Sequence, residues 1–240
     1  MKILSIGNSF SQDAQRYLHR LAKADGVNMK TVNLYIGGCP LNKHYINMLD
    51  DNADYSFEFN GESTGIKVSI RQALVSDNWD VITLQQVSSS SAKFESYTPY
   101  IEALAEYIRK YCPKAKIMIH ETWAYERDSE KLISVAGFET PKAMTDAVCK
   151  AYKKAAKAIS ADGIIPSGEA MQNAVDLGIG KVHRDKYHAS YGVGRYILAL
   201  TWYKALTGKD ISENSFSGFD EAVTEEERKI AIAAVNAAIK

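Results

Sequence analysis

The chain has 240 residues, 46% of them hydrophobic and 24% charged, and its 29 basic and 29 acidic side chains leave no net charge. This length can bury a substantial core, and the composition is ordinary for a globular protein. The balanced charge, without a basic stripe or a membrane-length apolar run, argues against nucleic acid and membranes as partners.

The predicted elements alternate between strands and helices. Strands are predicted at residues 2–6, 27–36, 80–84, 117–120 and 163–166, and helices at residues 12–24, 100–111, 141–160, 193–206 and 221–239. Alternating residues on both sides of Asn60-Gly61 predict a β-hairpin inserted at the surface.

This order predicts an α/β fold, a three-layer α/β/α sandwich whose mostly parallel, flavodoxin-like central sheet has about five strands, with the small hairpin inserted. No linker or internal repeat interrupts the chain, so we expect a single domain over residues 1–240. Met1-Lys2 leads straight into an apolar run, and no signal peptide is visible. The visible chain therefore predicts a cytoplasmic protein, although a secretion signal removed earlier would leave the same sequence.

Several residues of types that are common in active sites follow strands, and we expect them at the same edge of the sheet. Ser9 follows the first strand in "ILSIGNSFS", Gly38 follows the second, and Gln85-Gln86 ends the third. Ligands of such sheets bind at the carboxyl ends of the strands. The Gly-Asn-Ser triplet alone is typical of a turn, and a nucleophilic role for Ser9 needs support from other residues.

That support comes from "HRDKYHAS", where Asp185 precedes His188 by three residues. A serine nucleophile needs a base for its proton, a carboxylate on the other imidazole nitrogen, and donors for the developing oxyanion. A turn can place Asp185 and His188 on one side, and glycine lets a backbone N–H approach a ligand closely.

The chain resembles the SGNH (GDSL-like) serine hydrolase superfamily, and more narrowly a mainly bacterial subgroup described largely as a domain of unknown function. Four blocks carry the resemblance in the family's order, namely "IGNSFS", "YIGGCPL", "DVITLQQVS" and "DKYHASYGVGRY". The resemblance implies that Ser9 is the nucleophile, His188 its base and Asp185 the residue that orients the base. It also implies an oxyanion hole that includes the N–H groups of Ser9 and Gly38.

The third block departs from the superfamily, which usually has an Asn after a Gly at this place. We expect the side-chain amide of Gln85 to replace that Asn as the third oxyanion donor, with Gln86 as the alternative. Side chains alternate along a strand, so both cannot point to the same spot unless the chain has already turned.

Other functional assignments of these residues remain open at this point. His183, Asp185 and His188 have the residue types of a zinc site, but two histidines five apart beside an Asp are not a standard ligand spacing, so no metal is predicted. The three cysteines are scattered and form no CxxC pair, which predicts neither a disulfide framework nor a structural zinc site, and Cys39 is expected to be a small filler. No cofactor is predicted.

The stretch "HETWAYERD" places Trp123 and Tyr125 after the fourth strand. They either form a platform for a sugar ring or pack in the core. The polar segment 125–140 is long for a connection, and we expect it to wall or cover the site.

The sequence thus predicts a serine esterase that hydrolyses a small acyl ester through an acyl-enzyme, with a small-molecule or carbohydrate ester, such as an acetylated sugar, as substrate. The alternative is a carbohydrate- or ligand-binding module that keeps the fold without turnover. An intact set of Ser9, Asp185 and His188 argues against that alternative, because a pure binder needs no such set.

Overall fold

The structure is a computed structural model that describes residues 1–239. Its strands are β1 (Lys2–Gly7), β2 (Lys30–Tyr35), β3 (Tyr55–Phe59), β4 (Glu62–Val68), β5 (Val81–Leu84), β6 (Lys116–His120) and β7 (Gly163–Ile165). They form one seven-stranded sheet in the order β4-β3-β2-β1-β5-β6-β7.

Five of these strands, in the order β2-β1-β5-β6-β7, run parallel to their neighbours. Numbered along the chain without the hairpin, they have the 2-1-3-4-5 order of flavodoxin-like sheets. All four residues of β5 are buried because helices cover both faces of the sheet. The predicted α/β class is confirmed.

The predicted hairpin extends this sheet instead of standing apart from it. β3 pairs antiparallel with β2, where Val32 lies opposite Phe59, and β4 pairs antiparallel with β3. Its turn contains Asn60 and Gly61, which both have positive φ angles of 51° and 83°, as a tight hairpin turn requires. The hairpin therefore raises the number of strands from about five to seven.

Ten α-helices flank the sheet within the described residues 1–239. They are α1 (Ser9–Gln15), α2 (Leu18–Ala24), α3 (Leu41–Leu49), α4 (Ile70–Val75), α5 (Tyr100–Tyr111), α6 (Glu130–Ser134), α7 (Pro141–Ala158), α8 (Ser167–Asp176), α9 (Val193–Thr207) and α10 (Glu225–Ala238). Helices α1, α2, α8, α9 and α10 pack together as one group, and α3, α4 and α5 as another. No helix among residues 1–239 is long and apolar enough to cross a membrane.

The first predicted helix is wrong in its bounds, and this difference concerns the site directly. The apolar spacing after residue 12 marks a helix, but Asn8 already caps α1, so that α1 begins at Ser9 and α2 follows as a separate helix. The Asn8 Oδ1 atom accepts from the Phe10 N–H at 3.0 Å, while the Asn8 N–H donates to Ser11 Oγ at 3.1 Å. This capping box fixes where the helix starts.

Four further helices have no counterpart in the sequence prediction, namely α3, α4, α6 and α8. Three of them have nine residues or fewer, which is too short for a clear amphipathic pattern. α8 approaches the chain after β6 closely, because a Cβ atom on Gly168 would lie 2.3 Å from the Thr122 carbonyl oxygen. Only glycine fits at this contact.

Candidate active site

Ser9 lies where β1 ends and α1 begins, half-buried at the carboxyl edge of the parallel strands. Gly7 makes this sharp connection possible, because a Cβ atom there would come within 2.2 Å of Ser11 Oγ. As the first residue of α1, Ser9 has an N–H group for which the helix offers no acceptor. Its hydroxyl group and its N–H group are thus both available at a helix N-terminus, which favours negative charge.

The structure brings His188 and Asp185 to this serine. His188 Nε2 is 2.8 Å from Ser9 Oγ, and His188 Nδ1 is 2.7 Å from Asp185 Oδ2. Since a carboxylate only accepts, the Nδ1–H donates to Asp185 and leaves Nε2 free to accept the serine proton. The three side chains therefore form a continuous hydrogen-bonded chain of the Ser-His-Asp type.

Both carboxylate oxygens of Asp185 accept hydrogen bonds from His188. The second oxygen, Oδ1, accepts from the His188 backbone N–H at 2.8 Å. Partial burial raises the pKa of Asp185, but the hydrogen bonds from the side chain and the backbone of His188 outweigh this effect, and the pKa lies below its ordinary value. Asp185 is therefore ionised at neutral pH and suited to orient His188.

The loop that presents His188 is closed by backbone pairing. His183 and Ala189 form an isolated antiparallel bridge, and the Arg184 N–H donates to the His188 carbonyl at 3.0 Å. Lys186, at the tip, has a positive φ of 74°. This tight loop places Asp185 and His188 on the same side, as their three-residue spacing predicts.

A buried carboxylate joins this loop to the helix that begins with Ser9, and the residue pattern alone does not predict this link. Asp13, on α1 and fully buried, accepts from Arg184 at 2.8 Å, from Arg195 at 2.9 Å and from the Ala189 N–H at 3.2 Å. Asp13 thus fixes α1, and with it Ser9, to the loop that carries the base. Two arginines in one loop-helix segment were the only available hint.

Two of the three expected oxyanion donors, Ser9 and Gly38, lie at the same cavity, which His188 also lines. Gly38 has a positive φ of 61°, a conformation that favours glycine. Asn8 Nδ2 donates to the carbonyl of Cys39 at 3.1 Å and so ties the Gly38 loop to the serine turn.

Gln85 lies elsewhere than expected, and this is a correction to its predicted role. The side chain is 1% exposed and does not line the cavity. Its Nε2 atom donates to Asn8 Oδ1 at 2.7 Å, because the strand ends directly beneath the serine turn. Gln85 therefore contacts Asn8, the residue before Ser9, and not the cavity that Ser9 lines.

Gln86, the alternative donor, is also engaged inside the protein. Its Oε1 atom accepts from the N–H groups of Leu41 and Val87, at 3.0 and 2.9 Å, and its Nε2 atom donates to the Ser96 carbonyl at 2.8 Å. The side chain joins the segment after β5 to the start of α3. Neither glutamine amide faces the cavity that Ser9 lines.

The orientation of the Gln85 amide follows from its neighbours. Asn8 Oδ1 already accepts from Phe10, so Gln85 must present its NH₂ group to Asn8 and its oxygen to His120 Nδ1, 2.7 Å away. Complete burial lowers the pKa of His120 to about 3, so its ring is neutral and Nδ1 carries the hydrogen. His120, Gln85 and Asn8 form a buried chain of donors that ends at the Cys39 carbonyl.

The cavity at Ser9 has a volume of about 390 Å³. Tyr125 forms part of its wall, and the Tyr125 hydroxyl is 3.0 Å from Ser88 Oγ. Lys131 and Val135 also line it, so the segment 125–140 walls the site as expected. The cavity has room for a small acyl group.

Trp123 does not reach this cavity. It is 1% exposed, stacks on Phe10 with ring centroids 4.1 Å apart, and donates its indole N–H to the Tyr187 carbonyl at 2.8 Å. Of the two interpretations given above, its position fits core packing and not a sugar platform. Because it packs between neighbours of Ser9 and His188, it supports both of them from below.

The alternative zinc cluster is not assembled in the structure. His183 Nε2 is 3.0 Å from the Ala124 carbonyl and its Nδ1 is 3.4 Å from Glu126 Oε1, whereas His188 bonds with Ser9 and Asp185. Within residues 1–239, no group of three His, Cys, Asp or Glu side chains could hold a metal ion.

Cys39 contributes its backbone to the site and not its thiol. The side chain is buried, and burial raises the pKa of the thiol to about 12. A thiol with such a pKa stays protonated and is a poor nucleophile at neutral pH.

Residues 2–238 match the family model described as a domain of unknown function (DUF4886). A DUF4886 family protein from Bacteroides uniformis has a similar crystal structure, with 37% identity, coverage of 100% of this chain and 94% of that chain, and a TM-score of 0.92. Two more distant structures share the fold. A candidate SGNH hydrolase from Slackia heliotrinireducens has 21% identity, 86% and 98% coverage and a TM-score of 0.61.

An acetylxylan esterase from Geobacillus stearothermophilus has 14% identity, 86% and 94% coverage and a TM-score of 0.54. No protein of curated function matches the chain. The family match confirms the resemblance to a domain of unknown function, and the more distant structures show that the chain shares its fold with SGNH hydrolases.

Proposed function

The chain belongs to the DUF4886 family of domains of unknown function, and we propose that it is a serine esterase that hydrolyses a small acyl ester through an acyl-enzyme. The observation that carries the proposal is the hydrogen-bonded chain from Ser9 through His188 to Asp185, with distances of 2.8 and 2.7 Å. A ligand-binding module has no use for a serine that donates to an oriented imidazole.

The geometry supports an ordinary two-step acyl transfer. Ser9 Oγ attacks the acyl carbon while His188 Nε2 takes its proton, and the carbonyl oxygen becomes an oxyanion facing the N–H groups of Ser9 and Gly38. His188 then protonates the alcohol oxygen as the ester C–O bond breaks. A water molecule, deprotonated by His188, then attacks the acyl carbon, the bond from this carbon to Ser9 Oγ breaks, and His188 returns the proton to Ser9 Oγ as the acid leaves.

Two donors can be proposed for the oxyanion, the backbone N–H groups of Ser9 and Gly38. Gln85 is proposed to act indirectly, since its amide holds Asn8, and Asn8 bonds with both the α1 N-terminus and the Cys39 carbonyl. Preorganised donors of this kind typically contribute about 3 kcal/mol each to stabilisation of the transition state.

The cavity supports a short acyl group. Its volume of about 390 Å³ is shared between the acyl group and the alcohol, and Val87 and Val135 offer limited apolar surface. We therefore propose an acetyl or similarly short ester, with an acetylated carbohydrate as the leading candidate and Tyr125 as a wall of the site. The fold of the acetylxylan esterase is compatible with this choice and does not by itself establish a substrate.

A chain-length series of 4-nitrophenyl esters tests the proposal, with the C2, C4 and C8 acyl esters compared in the wild type and in Ser9→Ala. We expect kcat/KM to be highest for C2, to fall by about tenfold or more at C8, and to disappear in Ser9→Ala. Turnover that persists in Ser9→Ala, or a preference for C8, contradicts this function. Binding of acetylated sugars without turnover would favour the ligand-binding alternative.

A further inference from the structure

One lysine lies in the wall of the cavity at Ser9. Among the described residues that line this cavity, Lys131 is the only one with a lysine or arginine side chain. None of these residues is an aspartate or a glutamate. Lys131 forms no salt bridge with residues 1–239, whereas the neighbouring Lys186 is paired with Asp128 at 3.2 Å. The cavity therefore presents a cation whose charge is not neutralised by the protein.

Lys131 has a defined place above the aromatic residue next to the base. Its Nζ atom is 3.6 Å from the centroid of the Tyr187 ring, and that ring is 4.2 Å from the centroid of the His188 ring. A cation over an aromatic face keeps its N–H donors available on the side away from the ring. Tyr187 thus holds the ammonium group near His188 without satisfying its donors.

The side of the cavity on which Lys131 lies can be related to the reaction. In the proposed mechanism His188 protonates the alcohol oxygen, so the alcohol portion of the ester leaves along His188. The oxyanion donors, Ser9 and Gly38, lie at the acyl carbon. Lys131, which reaches His188 through Tyr187, is therefore on the alcohol side of the site.

We propose that the substrate carries a carboxylate on its alcohol portion, as an acylated acidic sugar does, and that Lys131 binds this carboxylate. This inference rests on the proposed function. The absence of a carboxylate from the described cavity wall removes the competing partner. Lys131 is exposed, and an ion pair at an exposed site changes kcat/KM by about fivefold at most.

The test compares two substrates that differ only in charge, a methyl glucuronoside and its uronamide, each acetylated at the same ring hydroxyl. We expect the wild type to prefer the uronate by about fivefold in kcat/KM, mainly through KM, and the preference to shrink at high salt. Lys131→Met removes the preference, so that kcat/KM becomes equal for the two esters, and Lys131→Arg retains it. Lys229→Met removes an equal charge from α10 and leaves the preference unchanged.

Equal kcat/KM for the two esters in the wild type, or a preference that survives in Lys131→Met, overturns the assignment of Lys131. In either case, turnover that depends on Ser9 would still support the proposed esterase function. If neither ester is hydrolysed and Ser9 reacts with no fluorophosphonate, the esterase function is contradicted and the Lys131 proposal is overturned with it.

Discussion

Asp13 and Arg184 form a buried ion pair between the helix that begins with Ser9 and the loop that carries His188, with a distance of 2.8 Å between Arg184 Nη1 and Asp13 Oδ2. Asp13 is fully buried and also pairs with Arg195 at 2.9 Å. Because the two halves of the proposed triad are far apart in the chain, this pair sets the distance between nucleophile and base.

Removing Asp13 should therefore affect both stability and catalysis. Breaking a buried pair leaves charges without a partner and typically costs about 3–5 kcal/mol. We expect Asp13→Asn to lower the melting temperature and to lower kcat more than it raises KM, since the base moves relative to Ser9. The milder variant Arg184→Met tests the same contact if Asp13→Asn is poorly folded, and unchanged kcat in both variants would show that the pair is purely structural.

The base and its orienting carboxylate should differ in their contributions. Removing a member of a working triad commonly lowers kcat by about 10⁴-fold or more. We expect His188→Ala to lose nearly all activity and Asp185→Asn to lose somewhat less, with the melting temperatures of both close to the wild type. If a chelator abolished activity and added zinc restored it, the result would instead indicate that His183, Asp185 and His188 bind a metal.

Gln85 is expected to act on kcat through Asn8. Gln85→Met keeps the length of the side chain but removes the donor to Asn8, so the serine turn and the Gly38 loop lose a shared support. We predict about a tenfold loss of kcat with little change in KM, which corresponds to about 1.4 kcal/mol. Gln86→Met is the matched control and should affect stability more than kcat; the reverse ranking would assign the positioning role to Gln86.

The raised pKa of the buried Glu121 should make the stability of the protein depend on pH. Glu121 is 2% exposed, and burial raises its pKa to about 7 from an ordinary 4.5, although the Glu169 N–H opposes this shift. Because the folded-state pKa is the higher one, this group's stabilising contribution is complete below about pH 4.5 and is lost as the pH rises through 7.

Between pH 5 and pH 8 the free energy of unfolding of the wild type should therefore fall by about 2–3 kcal/mol relative to that of Glu121→Gln, which does not titrate. Urea unfolding of both proteins at the two pH values measures this difference. Parallel pH profiles for the two proteins would mean that Glu121 titrates near its ordinary pKa.

The parts of the fold that the sequence predicted are those with strong local patterns. The buried run "VITL" marks β5, and the alternation around Asn60-Gly61 marks the hairpin. That the hairpin joins the edge of the main sheet depends on long-range pairing between β2 and β3, which leaves no local signal. Asn8 and Ser9 looked like a turn because a capping box and a turn use the same residue types.

The site could be predicted only where the spacing of residues along the chain indicates that their side chains lie together. Asp185 and His188 are three residues apart, and a tight loop does bring them together beside Ser9. The roles of Gln85 and Asp13 depend on contacts between residues far apart in the chain. A buried glutamine that supports a catalytic turn and one that donates to an oxyanion have the same sequence pattern, so the sequence alone could not separate these roles.

The central proposal, an activated nucleophile at Ser9, is tested most directly by the intact mass of the protein after reaction with a fluorophosphonate. Attack by Ser9 Oγ on phosphorus displaces fluoride and adds one phosphonyl group. We expect a single adduct on the wild type and none on Ser9→Ala, whose circular dichroism should match that of the wild type. An adduct of the same mass and yield on Ser9→Ala, or no adduct on a folded wild type, would contradict the assignment of Ser9.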